Sequence, residues 1–182
     1  ATIGTDNINL QYCKEHGIFL SNAAGCNAGG VMNYVMSAVY GVASRKELDL
    51  RNSTFGIIGV GNVGNRVEGA ARRLGFNVLL NDPPRAKAEG SGQFCSLEEL
   101  LISSDIVSLH VPLNESTRGL ASEGLFARMK QGAIFINSSR GEVVDEQALL
   151  QARPKLGALV IDTWANEPHI NREVLEICDI AT

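Results

Sequence analysis

From Thr54 onward, apolar positions fall into short, nearly unbroken runs at 55–58, 76–80, 106–109, 133–136, 158–161 and 177–181. Within each run successive residues are apolar, without the alternation that marks a strand wet on one face. Strands of this kind are covered on both faces, which is the condition of a parallel sheet. Parallel neighbours need crossover connections, and the segments 63–74, 97–102, 122–129 and 145–152 carry the helical spacing that would supply them. The alternation predicts an α/β fold: a doubly wound parallel sheet between two helical layers, a three-layer α/β/α arrangement.

The stretch 27–46 has a different character. Val31, Met32, Val35, Met36, Ala38, Val39, Val42 and Ala43 cover more than one face of a helix. Such a helix is expected to be buried on more than one side, between domains or subunits. Residues before Gly25, with "GTDNI" and "GIFLSN", read as the tail of another βαβ unit. The expected division is a remnant of a second domain at 1–25 and the α/β domain at 26–182. Ala1 is no initiator methionine and "ICDIA" reads as a strand just finishing, so the sequence reads as part of a larger protein.

Bulk properties narrow the partners. The 182 residues suit one α/β domain with a sizeable core. A net charge of −4, with no long basic stretch, argues against nucleic acid. No apolar run reaches spanning length and no signal peptide opens the chain, so no membrane association is expected. The four cysteines, Cys13, Cys26, Cys95 and Cys178, have neither C-x-x-C nor metal-ligand spacing. They read as reduced thiols of a cytoplasmic protein, and no metal site is expected.

Candidate chemistry begins at Gly59, Gly61 and Gly64, which form G-x-G-x-x-G directly after the run 55–58. In a dinucleotide fold the first glycine makes the tight turn and the second clears space for a pyrophosphate. The third lets helix and strand pack closely. Asn62 and Val63 open the helix whose free N–H groups would face the phosphates. Asp82, followed by Pro83, ends the second run and can accept hydrogen bonds from ribose hydroxyls. Its charge would repel a 2′-phosphate, so NAD is expected rather than NADP.

Further polar residues stand where apolar runs end, the edge at which open parallel sheets bind ligands. They are His110, Ser138, Ser139, Arg140, Asp162 and Glu167. Arg140 could grip a carboxylate with its planar fork, or pair with Glu142 or Asp145 on the surface. Glu167 could orient a histidine acting as acid or base, or be a loop carboxylate before Pro168. His16 reads as a solvated helix end and His110 as lining the site. His169 lies two positions after Glu167, and adjacent loop positions seldom hold an imidazole against a carboxylate.

Together the glycine loop with Asp82, "HVPLNESTRGL", "INSSRGEVVD" and "DTWANEP" resemble the D-isomer-specific 2-hydroxyacid dehydrogenases, over essentially the whole chain. The resemblance implies a Rossmann-type fold, NAD as cofactor, a small 2-hydroxy acid as substrate, and a homodimer formed through the dinucleotide-binding domain. It implies that Arg140 is the catalytic arginine and Glu167 the carboxylate partner of a catalytic histidine. Asp162 would meet the nicotinamide end, with Ser138 and Ser139 beside it, and His110, Val111, Pro112 and Thr117 would line the groove. The family's histidine follows a T-P-H sequence, whereas this sequence ends at Thr182, and Asn33 stands where a glutamate is usual. "AAGCNA", "LLNDPPRA" and "NEPHINREVLEICDIAT" point to a branch acting on a phosphorylated acid. The alternatives are a dehydrogenase of another small acid, such as phosphoglycerate or hydroxypyruvate, and a non-catalytic NAD-sensing module that keeps the same groups.

Overall fold

Every strand of the sheet is parallel to its neighbours, and the order is β2-β1-β3-β4-β5-β6. The structure, a computed structural model, describes residues 8–182. The strands are β1 (Thr54–Ile58), β2 (Asn77–Asn81), β3 (Ile106–Leu109), β4 (Ile134–Asn137), β5 (Ala158–Ile161) and β6 (Ile180–Ala181). The helices are α1 (Leu10–Glu15), α2 (Ala28–Lys46), α3 (Asn62–Arg73), α4 (Pro83–Glu89), α5 (Leu97–Ser103), α6 (Glu123–Arg128), α7 (Glu146–Ala152) and α8 (Arg172–Ile177). The chain winds outward in both directions from the β1–β3 pair, so the switch point of a doubly wound Rossmann-type sheet lies there.

The unbroken apolar runs have a direct cause in this architecture. Successive strand residues point to opposite faces. Phe55, Ile57, Ile106, Ile136 and Val160 meet Val35, Val39 and Val67 of α2 and α3 on one side. Ile58, Val107, Phe135, Leu159 and Ile161 meet Leu101, Leu125, Phe126 and Leu149 on the other. Phe126 and Phe135 cross edge-to-face with ring centres 5.0 Å apart, an arrangement favoured beyond simple burial.

Several local expectations needed correction. The second strand begins one residue later than expected, at Asn77, where its pairing with Thr54 starts, and Phe76 packs edge-to-face on Phe55 just before it. The expected strand at 177–181 shrinks to Ile180–Ala181, since Ile177 still belongs to α8. Helices α4 and α8 were not expected: α4 buries no residue and α8 buries only Val174, so neither leaves an apolar period. Part of the apolar breadth of α2 is taken up within this domain. Val35 and Val39 are fully buried inside this domain, with α2 lying along α3, while Asn33, Ser37, Tyr40 and Ser44 face outward.

The amino-terminal segment stands apart in burial. No residue of α1 is buried, and Phe19 is 90% exposed. His16 caps the end of α1 and is exposed. Most of "GTDNI" lies outside the described residues. Among the described residues, no helix is long and apolar enough to cross a membrane.

Candidate functional site at the carboxyl edge of the sheet

The glycine loop joins β1 to α3 beside the switch point. Gly59 has φ +87, and a Cβ there would stand 2.6 Å from the carbonyl oxygen of His110, which directly follows the neighbouring β3. A Cβ on Gly64 would stand 2.1 Å from the carbonyl oxygen of Gly59, so helix and loop touch backbone to backbone. Gly61 differs, since a Cβ there would meet nothing within 4 Å. The space above it is open, as a cradle for an anion must be. Gly61 is the N-cap of α3, and the first bond to close back is Asn65 N–H to Gly61 O at 3.0 Å. The N–H groups of the first turn, including those of Asn62, Val63 and Gly64, carry the partial positive end of a 12-residue helix. These features fit a pyrophosphate.

Asp82 stands at the tip of β2 and ties the loop to α4. Its Oδ2 accepts the Val60 N–H at 2.8 Å, and its Oδ1 accepts the Arg85 N–H at 3.0 Å. The second bond caps α4, whose first turn begins with Pro83, a residue that has no N–H to satisfy. A carboxylate has about four acceptor sites, so Asp82 keeps capacity for a vicinal diol.

The next wall comes from β3 and the segment after it. His110 as a residue is only partly buried, but its imidazole is enclosed, and burial pushes its pKa down to about 4. The ring is therefore neutral at pH 7, and one nitrogen donates while the other accepts. Nε2 pairs with Ser108 Oγ at 2.9 Å and Nδ1 with Ser138 Oγ at 3.3 Å. Val111 and Pro112 continue from it. Thr117 donates from Oγ1 to the Pro112 carbonyl at 2.6 Å and accepts the Asn114 N–H at 2.9 Å, folding this segment on itself. Gly119 N–H then reaches Glu142 O at 2.9 Å, which joins the segment to the Arg140 loop.

Arg140 and Glu167 lie on loops that press together. Asn137, at the end of β4, donates to the Arg140 carbonyl at 2.9 Å and accepts from Ser139 N–H and Oγ at 3.1 and 2.7 Å. Ser139 is 7% exposed, so its hydroxyl shapes the loop from within. Arg140 Nη1 donates to the Ser139 carbonyl at 2.8 Å. Gly141 then fits flat against the loop after β5, where a Cβ would stand 1.9 Å from the carbonyl carbon of Trp164. The Trp164 N–H in turn donates to Glu167 Oε1 at 2.9 Å, holding an otherwise exposed side chain. Asp162 Oδ1 accepts from Thr182 Oγ1 at 2.5 Å, and Trp164 Nε1 donates to the Thr182 carbonyl at 2.8 Å. The end of β6 is thereby tied to the same loop. His169 sits in an exposed turn closed by its N–H to Asn166 O at 2.7 Å.

Asn137, Gly141, Trp164 and Arg85 shape this edge and escaped the sequence reading. A glycine directly after Arg140 was a usable signal of close approach, although only the fold shows what approaches. Asp145, weighed as an ion-pair partner for Arg140, caps α7 through the N–H groups of Gln147 and Ala148. A concave cleft of about 780 Å³ lined by Tyr40, Leu48, Arg51, Asn52, Leu74 and Phe76 lies at the opposite end of the strands and holds none of these groups. Among the described residues, no group of three metal-ligating side chains could hold an ion.

Comparisons with known proteins agree with this geometry. The model of the D-isomer-specific 2-hydroxyacid dehydrogenase NAD-binding domain matches residues 32–180. The chain is 44% identical to an erythronate-4-phosphate dehydrogenase of Bacteroides fragilis, covering 100% of this chain and 54% of that protein. It is 46% identical to the enzyme of the same name from Cronobacter sakazakii, covering 100% of this chain and 50% of that one. The chain thus spans about half the length of the curated relatives it matches. Among solved structures it resembles a glyoxylate reductase from Paecilomyes thermophila, with TM-score 0.78 and 30% identity over 98% of this chain and 62% of that one. A D-lactate dehydrogenase from Aquifex aeolicus, complexed with NAD and lactic acid, gives TM-score 0.78 and 28% identity over 99% of this chain and 66% of that one. With its glycine loop, its acidic strand tip and a family match over most of its length, the chain belongs to the D-isomer-specific 2-hydroxyacid dehydrogenases, whose NAD-binding domain it carries.

Proposed function

We propose that the protein containing this chain oxidises 4-phospho-D-erythronate at C2 with NAD, a step toward pyridoxal phosphate. The observation that carries this reading is the packing of Gly141 on the Trp164 peptide, which sets Arg140 and Glu167 on adjoining loops at the same edge of the sheet as the glycine loop. The choice of acid rests on the names of relatives matching the whole chain at 44–46% identity.

Bound NAD supplies a hydride acceptor. In this reading Arg140 binds the substrate carboxylate and polarises the C2 oxygen through its fork. Glu167 orients and stabilises, as imidazolium, the histidine that the resemblance puts after Thr182. Asp82 accepts the ribose hydroxyls, and Asp162 with Ser138 faces the nicotinamide end. Residues 1–25 go with the substrate domain and 26–182 with the NAD-binding domain. The setting is the cytoplasm, in keeping with four free cysteines. A homodimer would pair through the outward side of α2 around Tyr40, because Val35 and Val39 are occupied within the domain.

The test is turnover by the intact protein with 4-phospho-D-erythronate beside 3-phosphoglycerate, glycerate and lactate, using NAD and NADP. Preference for an unphosphorylated acid would overturn the substrate, and binding of NADH without any turnover would favour a sensing module. Asp82→Ala should weaken NADH and narrow its advantage over NADPH; an unchanged ratio would remove Asp82 from the ribose site.

A further inference from the structure

The two glycines that flank Val60 create a mechanical problem. Glycine rotates freely, and the loop Gly59–Val60–Gly61 has one on each side of its only ordinary residue. Left alone, the Val60 peptides could turn, and ordering them on binding would cost affinity. In the structure both polar groups of Val60 are held, one by Asp82, which caps α4, and one by Arg85 within α4. Its N–H is taken by Asp82 Oδ2 at 2.8 Å, and its carbonyl accepts from Arg85 Nη1 at 2.6 Å. A trans peptide is planar, so the Val60 carbonyl and the Gly61 N–H point in opposite directions. Fixing the carbonyl on Arg85 therefore aims the Gly61 N–H away from Arg85.

Arg85 is itself held. Its Nε and Nη2 meet the two oxygens of Glu89 at 2.8 and 2.7 Å, one helical turn on. Nη1 also reaches Asn65 Oδ1 in the first turn of α3 at 3.0 Å, and the guanidinium lies 5.5 Å from the centre of the Phe94 ring. The fork is thus nearly filled by partners within the protein, and its charge is matched by Glu89. It is built to hold a loop, with little capacity left to receive another anion.

We propose that Arg85 is a positioning residue for the cofactor, clamping the Val60 carbonyl so that the glycine loop is ordered for the pyrophosphate before NAD arrives. The proposal rests on the cofactor-site reading above and adds to it a residue that touches the loop and not the reacting atoms.

The experiment measures binding of NADH, ADP-ribose and adenosine to the unaltered protein, to Arg85→Ala and to Glu89→Gln, with thermal melting of each ligand-free protein. Arg85→Ala should weaken NADH and ADP-ribose about tenfold, the scale of one charge-assisted hydrogen bond. Adenosine, which has no phosphate, should bind as before. Glu89→Gln leaves Arg85 in place but removes the pair that aims it; it should give a smaller loss, about twofold, of the same selectivity. Unchanged NADH affinity in Arg85→Ala overturns the clamp. So does an equal loss for adenosine, which would put Arg85 at the adenine. If the unaltered protein binds neither NADH nor ADP-ribose, the cofactor site itself is misassigned and the clamp falls with it.

Discussion

Gly141→Ala tests whether the contact between the Arg140 and Glu167 loops governs activity. The added methyl would lie 1.9 Å from Trp164 C and 2.0 Å from Ala165 N. Carbon contacts settle at about 3.5 Å, so the two loops must part by about 1.5 Å. Both neighbours are backbone atoms and cannot rotate aside. Gly141 has no positive φ, so the cost comes from the contact and not from backbone strain. Overpacking of this kind costs about 1–3 kcal/mol, which for a domain of this size lowers Tm by roughly 5 °C. Activity should suffer more, since displacing a catalytic group by about 1 Å can cost on the order of a hundredfold in rate. The assay is kcat/KM of the intact protein for its 2-hydroxy acid, beside NADH affinity and a melting curve. NADH affinity should fall less than kcat/KM, because the glycine loop and Asp82 are built from other contacts, while Ser138 and Asp162 lie on the displaced loops. A kcat/KM within about twofold of the unaltered protein would refute the idea that this contact sets Arg140 and Glu167.

Other perturbations probe the supporting structure. The pKa of His110 is about 4 in the fold against 6.5 ordinarily, so the unfolded chain takes up the proton first as pH falls. Its stabilising effect is complete above pH 6.5 and declines as pH drops toward 4; urea unfolding should show a loss of about 2 kcal/mol between pH 7 and 5 that His110→Asn lacks. A slope unchanged by the substitution would remove His110 as its source. Asp179 accepts from Lys46 Nζ at 2.7 Å, Arg153 Nη2 at 3.1 Å and the Leu159 N–H at 2.8 Å. Asp179→Ala leaves the Leu159 N–H without its acceptor and takes the carboxylate from two cations that keep carbonyl partners at Gly157, Ile177 and Leu156, and should cost about 2 kcal/mol in urea unfolding; Asp179→Asn, which can still accept from Leu159, should cost less. Equal costs would mean that the strand N–H contributes little.

Features set by short-range rules were readable in the amino-acid order. A strand apolar at every position can only lie inside a sheet covered twice, and the two faces of Ile57 and Ile58 bear this out. The turn at Gly59 and the close approach at Gly64 follow from what a Cβ would strike, and glycine spacing records that directly. Helices α4 and α8 were not readable, because elements that bury almost nothing carry no apolar period; caps from Asp82 and Asn171 start them instead. The breadth of α2 was visible, but not that its own domain would cover part of it. Likewise, Arg140 and Glu167 stand out as polar residues after apolar runs, and nothing in their spacing says that Gly141 would lie on the Trp164 peptide between them. Nor does it say that Arg85 would reach back to Val60. Periodicity and glycine placement encode each residue's relation to its neighbours along the chain, whereas contacts between loops depend on how the strands bring distant ends to one edge.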